Sequence, residues 1–411
     1  MSTELYGIDA RLVQSKGTTP VSTQTEIVFL GAAPNLSDDS APVNEPVLIN
    51  SISDYTTKLG GVVGDGWSLS EAAECAFSLL NIDHVWMINV NGDYSNTMAS
   101  ITDAMLIGDA SLLTGAYAVL KLYPEHGKIC NVYCSPNASK AVNAVLASVI
   151  KKMNGHFDGI ICYDLKQTSS QINASKVALP NVVSADKVTD GIIDERAICC
   201  WPSVKTVNNN IVSSAAYIAC MYAKIDADYN SIPMRSIGNN SADNVSYLTL
   251  KSNDAKIILS DSDATSLSAD GIISFINLGA GRYATWGDHT SAFVNDSITD
   301  ERGRFDSNIR MLLKLTNDFQ LKWGTVIDRP MTLGLRNDII NYEQSKLNYF
   351  VSIGALIGNP KFLFSPTANS GDSLAQGQFY FDSLATITPP AKYIKMNLAF
   401  TSEGFTVLNK L

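Results

Sequence analysis

The segment that most constrains the fold is 139–150. There Val142, Val145, Leu146, Val149 and Ile150 fall at i, i+3, i+4, i+7 and i+8, with Lys140, Lys151 and Lys152 outside the stripe. An apolar stripe of helical period has to be covered by another element, so this helix is expected to lie on a sheet. Strand candidates flank it, KICNVYCSP before and FDGIICYDL after. The same order recurs around it. EIVFLGAAP, PVLINS, the helical SLSEAAECAFSLL with Ser70 as a candidate cap, and HVWMINV come first; AICCWPSV and a small-residue helix around Ala215 to Ala223 follow. Apolar strands alternating with helices predict an α/β domain with a largely parallel sheet, placed at 23–254.

The polar stretch SIGNNSADN (236–244) is expected to mark a transition between domains, because the chain changes style after it. GIISFINL, GRYATWGDHT, a helix from about Arg304, a second from about Asn337, QFYFDSL and YIKMNLAF read as a mixed α+β domain with antiparallel character over 255–403. In YIKMNLAF, Ile394, Met396, Leu398 and Phe400 alternate with Lys395, Asn397 and Ala399, as in a half-exposed strand. After Gly404, GFTVLNKL with Phe405 and Val407 is a further extended candidate, a C-terminal arm over 404–411. At the other end Tyr6, Ile8, Ala10 and Leu12 alternate with Gly7, Asp9 and Arg11, so 1–22 reads as an extended arm.

Charge narrows the function classes. A net charge of −10 argues against a general nucleic-acid binder, yet residues 301–411 hold 12 Lys+Arg against 9 Asp+Glu, or +3, leaving 18 against 31, or −13, for residues 1–300. Such asymmetry suggests that the two parts face different surroundings. The first residues have neither the basic nor the apolar region of a signal peptide, and no run is long and apolar enough to span a bilayer, so the chain is expected to be soluble and cytosol-made. Its seven cysteines, an odd number in mostly apolar runs such as Ile-Ile-Cys162-Tyr and Ala-Ile-Cys199-Cys200-Trp, are expected to be buried free thiols.

Candidate chemistry is thin. Gly279-Ala-Gly281-Arg-Tyr-Ala284 fits G-x-G-x-x-A after a strand, but Thr285-Trp286-Gly287-Asp288 is a poor helix start, and a dinucleotide turn needs that helix. Gly60, Gly61, Gly64 and Gly66 form a loop with no Lys-Ser or Lys-Thr after it, so a flexible connection is the better reading. His84, His126, His156 and His289 stand in no zinc-type spacing. Asp288 and His289 are adjacent, and adjacent residues on an extended segment point to opposite faces, so a surface or packing role is expected for them. No catalytic, cofactor-binding or metal residue is predicted.

In the last third, an apolar strand leads into Trp286-Gly287-Asp288-His289-Thr290, an acidic segment and a long helix. This resembles the Trp-Gly-x-Arg-Thr signature of contractile-tail sheath proteins, with His289 where an arginine usually stands. Gly354-Ala355-Leu-Ile-Gly358 and Thr388-Pro389-Pro390-Ala391 are similar to the family's Gly-Ala-Leu turn and Pro-led final strand. Tyr6-Gly7-Ile8, Pro20-Val-Ser-Thr, VFLGAAP and EPVLINS occur in the family's order, so the resemblance covers nearly the whole chain.

The resemblance implies a structural subunit of a phage tail or related injection machine. It would polymerise into stacked hexameric rings around an inner tail tube and meet baseplate and tail terminator proteins, with no cofactor, direct nucleic-acid contact or membrane insertion. It implies assembly in the host bacterial cytoplasm, residence in the virion tail, and arms that add strands to neighbouring subunits through Tyr6, Ile8, Ala10, Leu12, Ile394, Met396, Leu398, Phe400, Phe405 and Val407. On the helix over 304–321, Phe305, Ile309, Leu312 and Phe319 make one face and Arg310 and Lys314 the opposite one, a candidate contact with the tube. The competing readings are an α/β nucleotide-dependent enzyme and another self-assembling tail component.

Overall fold

The computed structural model describes residues 25–152 and 157–408. The arm expected at 1–22, with Tyr6, Ile8, Ala10 and Leu12, lies outside the described residues, as do His156 and the last three residues of the C-terminal arm. Fifteen strands are described: β1 (Ile27–Gly31), β2 (Pro46–Ile49), β3 (Val85–Asn89), β4 (Val132–Cys134), β5 (Ile160–Asp164), β6 (Ala197–Cys200), β7 (Ser203–Thr206), β8 (Ile211–Val212), β9 (Ser241–Ala242), β10 (Val245–Thr249), β11 (Lys256–Ile257), β12 (Ile272–Asn277), β13 (Tyr283–Trp286), β14 (Leu356–Phe364) and β15 (Phe381–Ile387).

Nine of them form one sheet in the order β2-β3-β1-β4-β5-β6-β12-β13-β9. The six from β3 to β12 run parallel, and β2, β13 and β9 are antiparallel to their neighbours. The central strands IVFLG, VYC and AICC are buried along their whole length, as strands covered on both faces must be, so they read as apolar runs without alternation. Helix α1 (Lys140–Val149) starts where the Ser139 side chain accepts from the Val142 N–H, and its Val142, Leu146 and Val149 are buried. Helix α2 (Ser214–Ala227) is buried on nearly all sides and packs on β4, β5 and β6, its alanines allowing close approach. The cysteines are free and buried, and Ile198, Cys199 and Cys200 lie in the main core.

Two smaller sheets complete the fold, an antiparallel β11-β10-β7-β8 sheet and the β14-β15 hairpin. Helices α3 (Asp306–Trp323) and α4 (Leu333–Ser352) belong to the last third. The second helix starts earlier than Asn337 because the Thr332 side chain accepts from the Leu335 N–H. A second core gathers Met311, Ile339, Leu347, Phe350, Leu356 and Phe362, whereas Ile309 and Leu313 of α3 join the main core. Helix α3 is therefore covered on two sides.

The domain boundary expected at 254/255 runs through the large sheet, since β12 pairs with β6 through Ile272 opposite Cys199 and Ile273 opposite Cys200. The polar stretch 236–244 is no linker either. It contributes edge strand β9, and Asn240 is buried with its amide donating to the Ser236 and Ile237 carbonyls at 3.0 and 2.7 Å. Polarity there satisfies backbone groups in a tight turn. The expected strand YIKMNLAF is neither strand nor helix in this chain, because no partner strand lies beside it among the described residues. The segment Glu403–Val407, expected to be extended, closes into a 3₁₀ turn, with Phe405 N–H donating to the Ser402 carbonyl at 3.0 Å. A short segment without a partner satisfies its backbone locally.

Candidate functional site

In an open parallel sheet, a ligand site is expected outside the carboxyl ends of the strands. A crevice of about 410 Å³ does lie there, bordered by Asn137, Asp164, Lys166, Trp201 and Lys251. Its carboxylates are already engaged. Asp103 accepts from the Ser139 hydroxyl at 2.6 Å. Asp164 accepts from the Ser213 and Ser214 hydroxyls and the Ala215 N–H at 2.6, 3.0 and 3.0 Å, and Glu71, beside the crevice but not lining it, takes Lys251, Asn137 and the Ser213 N–H. These groups hold the N-terminus of α2 against the sheet, leaving no carboxylate poised for proton transfer.

The glycine motif at 279–284 is the turn of the β12–β13 hairpin. Gly279, Ala280 and Gly281 all have positive φ (101°, 53° and 74°), and the Arg282 N–H donates to the Gly279 carbonyl at 3.1 Å. A hairpin turn has no helix dipole to receive a phosphate. Gly60 is the left-handed cap of the helix Ile52–Leu59, with φ 74°, so the first glycine of the other loop ends a helix. Among the described residues no group of three or more His, Cys, Asp or Glu could hold a metal, and no helix is long and apolar enough to cross a membrane.

The segment Trp286-Gly287-Asp288-His289-Thr290 leaves β13, with Trp286 packed on a small cluster of Ala264, Ile276 and Ala284. Trp286 Nε1 donates to Thr265 Oγ1 at 3.2 Å, and the His289 ring lies 2.9 Å from the Ser268 carbonyl through Nδ1. The imidazole stacks on Phe293 at 3.8 Å between centroids, and burial lowers its pKa. Packing is thus its role. Asp288 and His289 do not diverge fully, as His289 Nε2 comes within 3.9 Å of Asp288 Oδ1. Asp288 instead accepts from Lys392 Nζ at 2.5 Å, which pins the root of the C-terminal tail to this loop.

Beyond that pin, the tail over 393–408 has no cover. Ile394, Met396, Leu398 and Phe400 are 86%, 79%, 86% and 85% exposed, and Phe405 and Val407 are exposed as well. Large apolar side chains left in water at alternate positions, on backbone without a ladder, are the pattern of a strand whose partner is another molecule. The β14-β15 hairpin presents the complementary feature. It is a sheet of two strands with both outer edges unpaired among the described residues, and Ile357, Leu363 and Leu384 are exposed on it.

Arg310 and Lys314 do not face outward, which corrects their expected role as surface charges for a tube. They are 5% and 3% exposed. The Arg310 guanidinium donates to Asp226 of α2 and lies 4.1 Å from the Tyr222 ring centroid, and Lys314 Nζ is 3.5 Å from Asp318 Oδ2. The face of α3 that reads as polar is covered because the helix is wedged between two cores, so its cations are matched inside the subunit. The sequence reading missed Asp226, Asp306 and Lys392, and gave Asp288 a surface or packing role without its partner Lys392. A signal existed for the first: Asp226 is next to last in SAAYIACMYAKIDA, a run too apolar to hold a carboxylate without a partner.

No protein-family model matches the chain, and no curated protein matches it. Solved structures do. The PVC sheath of an extracellular contractile injection system in its contracted state is 13% identical, with a TM-score of 0.69 over 98% of this chain and 99% of that one. The helical sheath of the anti-feeding prophage in its contracted state is 16% identical, with a TM-score of 0.66 over 98% and 100%. The sheath tail protein from Desulfitobacterium hafniense is 11% identical, with a TM-score of 0.59 over 92% and 97%. The chain has the fold of contractile sheath proteins along nearly its whole length.

Proposed function

We propose that this chain is a structural sheath subunit, without enzymatic activity, that polymerises into a helical sleeve of stacked hexameric rings around an inner tube. The sleeve contracts and drives the tube through a target cell envelope. The observation that carries this reading is the exposed alternating tail at 393–408 on a chain with a sheath-like fold. Donating that tail to the open edge of a neighbour's β14-β15 hairpin would pair its backbone and cover its apolar side chains. Burying Ile394, Met396, Leu398 and Phe400 is worth roughly 6–12 kcal/mol before the cost of ordering the tail. The segment 1–22 is proposed to act in the same way through Tyr6, Ile8, Ala10 and Leu12.

Links of this kind keep a lattice connected while rigid subunits rotate and slide, so the extended sleeve can be a metastable packing whose contraction releases stored free energy. The proposed partners are further copies of the chain, the inner tube, and the baseplate and terminator at its ends. The proposed location is the tail of a particle assembled in a host bacterial cytoplasm. The nucleotide-enzyme reading loses its support where residues 279–284 form a hairpin turn.

Negative-stain microscopy of the purified protein is expected to show rings, tubes or sleeves, and a uniform small particle would overturn the reading. Extended particles are expected to contract on mild heating in nucleotide-free, chelator-treated buffer. A strict ATP requirement would count against stored lattice energy as the source of the stroke.

A further inference from the structure

The C-terminal tail follows β15 directly, and β15 has an unpaired outer edge among the described residues. Only residues 388–392 separate that strand from the alternating segment at 393–400. A connection of this length routinely closes an antiparallel hairpin. The tail is thus placed to be captured by its own hairpin before any neighbour is met, because a short link gives an effective concentration on the order of millimolar. In the structure it is not captured: Ile394, Met396, Leu398 and Phe400 stand in water on backbone without a ladder. Residues 388–392 turn the chain away in two steps. The Thr388 N–H donates to the Ala355 carbonyl at 3.2 Å, and Pro389 and Pro390 then have no N–H to continue the ladder. Lys392 Nζ next reaches Asp288 Oδ1 at 2.5 Å, on the loop after β13, which belongs to the nine-stranded sheet.

We infer that Lys392 and Asp288 form a latch that keeps the tail off its own hairpin, so that the tail and the hairpin edge both stay free for a neighbouring subunit. The inference rests on the proposed donation of the tail and adds two positioning residues to it. Asp288 is a fixed anchor. Its carbonyl accepts from the Asp306 N–H at 2.9 Å, and Gly287 before it takes φ 101°, with a Cβ position only 3.1 Å from the Ile272 carbonyl oxygen. The Asp288 side chain is 5% exposed and that of Lys392 44%, so a surface cation is tied to a buried anion. His289 Nε2 lies 3.9 Å from the same carboxylate, but burial lowers its pKa and leaves the ring neutral near pH 7. Burial and the neighbouring Asp288 also raise the pKa of Asp306, so release of Lys392 would leave two carboxyl groups together in the interior. The latch is therefore held more firmly than an exposed pair. Geometry of this kind can defeat self-capture, because effective concentration falls toward zero when a link cannot span its two sites.

The test uses the full chain, kept below the concentration at which sleeves form. Spin labels at Asp382→Cys on β15 and Asn397→Cys on the tail report whether the two segments pair, and the native cysteines are buried and take no label. The parent is expected to show no short-distance population. Lys392→Met is expected to add one, with paired strands about 4.8 Å apart, that holds about half of the molecules or more. The protein concentration needed for sleeves then rises with the captured fraction, about two-fold or more. Lys392→Arg keeps the cation and is expected to behave as the parent. Should Lys392→Met lower the thermal midpoint, Lys392→Met combined with Asp288→Asn removes the buried charge and carries the same expectation. A short-distance population in the parent, or its absence from both released variants, overturns the latch. So does its appearance in Lys392→Arg, which would take the ion pair out of the account. Distances as expected in a parent that forms no sleeves would sink the assembly reading and leave the latch.

Discussion

Helix α3 buries two cations in the interior of the subunit, whereas the tail that follows β15 holds large apolar side chains, Ile394, Met396, Leu398 and Phe400 among them, in water. Both placements run against the usual preference, and each needs a partner. In α3 the partners come from the same chain: Asp226 from α2 for Arg310, and Asp318 one turn along for Lys314. In the tail no partner lies within the described residues, and the partner proposed for it is a neighbouring subunit. The difference separates two uses of sequence. Matched charge inside the subunit specifies its shape, and unmatched apolar surface outside specifies its association.

The largest expected effect is on assembly. Replacing Ile394 and Leu398 with Asp keeps the tail but puts charge where a neighbour's surface is apolar. Sleeves are expected to be lost entirely in sedimentation and microscopy, while denaturant unfolding of the subunit changes by no more than about 0.5 kcal/mol. Normal sleeves from this variant, or a destabilised subunit, would break the comparison on the tail side.

On the helix side, Arg310→Met leaves Asp226 buried without its partner and is expected to cost about 3–5 kcal/mol in denaturant unfolding. Adding Asp226→Asn to it should recover part of that loss, because the uncompensated charge is then gone. A cost below about 1 kcal/mol would mean that the pair is solvated rather than interior.

A smaller effect sharpens the same point through pH. Burial, with Asp288 beside it, pushes Asp306 up from the ordinary value of 3.8 to about 6, although Arg310 and the Tyr222 hydroxyl act against the rise. Asp306 is therefore protonated more in the folded than in the unfolded state between about pH 4 and pH 6, so its contribution to stability falls as pH rises through that window and is flat above it. The size is roughly 2–3 kcal/mol. Glu26 runs the other way: burial would raise it, but hydrogen bonds from His84 and Lys128 hold it down to about 2, so its contribution is lost as pH falls from about 4.5 toward 2. Unfolding followed from pH 4 to pH 7 should show a smaller decline in Asp306→Asn than in the parent, since Glu71 and His84, also held above their ordinary values, add declines of their own. A decline of equal size in that variant would assign it to other groups.

Much of the α/β part was legible because its signals are local. IVFLG and AICC are wholly apolar runs of strand length, and the stripe from Val142 to Ile150 marks a helix on a sheet, which the structure caps with Ser139; the structure has each of these. The tail's alternation at Ile394, Met396, Leu398 and Phe400 was equally visible, although in one chain it forms no strand. Three readings failed for a common reason. The boundary at 254, the outward face of Arg310 and Lys314, and the extended Phe405–Val407 segment all depend on what lies beside a segment in space.

By itself, then, the sequence determined the main strands and helices of the α/β part, since period and apolar runs act within a few residues of the chain. It also determined the apolar alternation of the tail at Ile394, Met396, Leu398 and Phe400. Only the tertiary structure decided that β12 extends the sheet beyond β6, that α3 is wedged between two cores, and that Asp226, Asp306 and Asp288 meet their partners from distant segments. A residue's burial is set by everything packed against it, and a charged residue opposite an apolar stripe reads identically in sequence whether water or a carboxylate from another helix faces it.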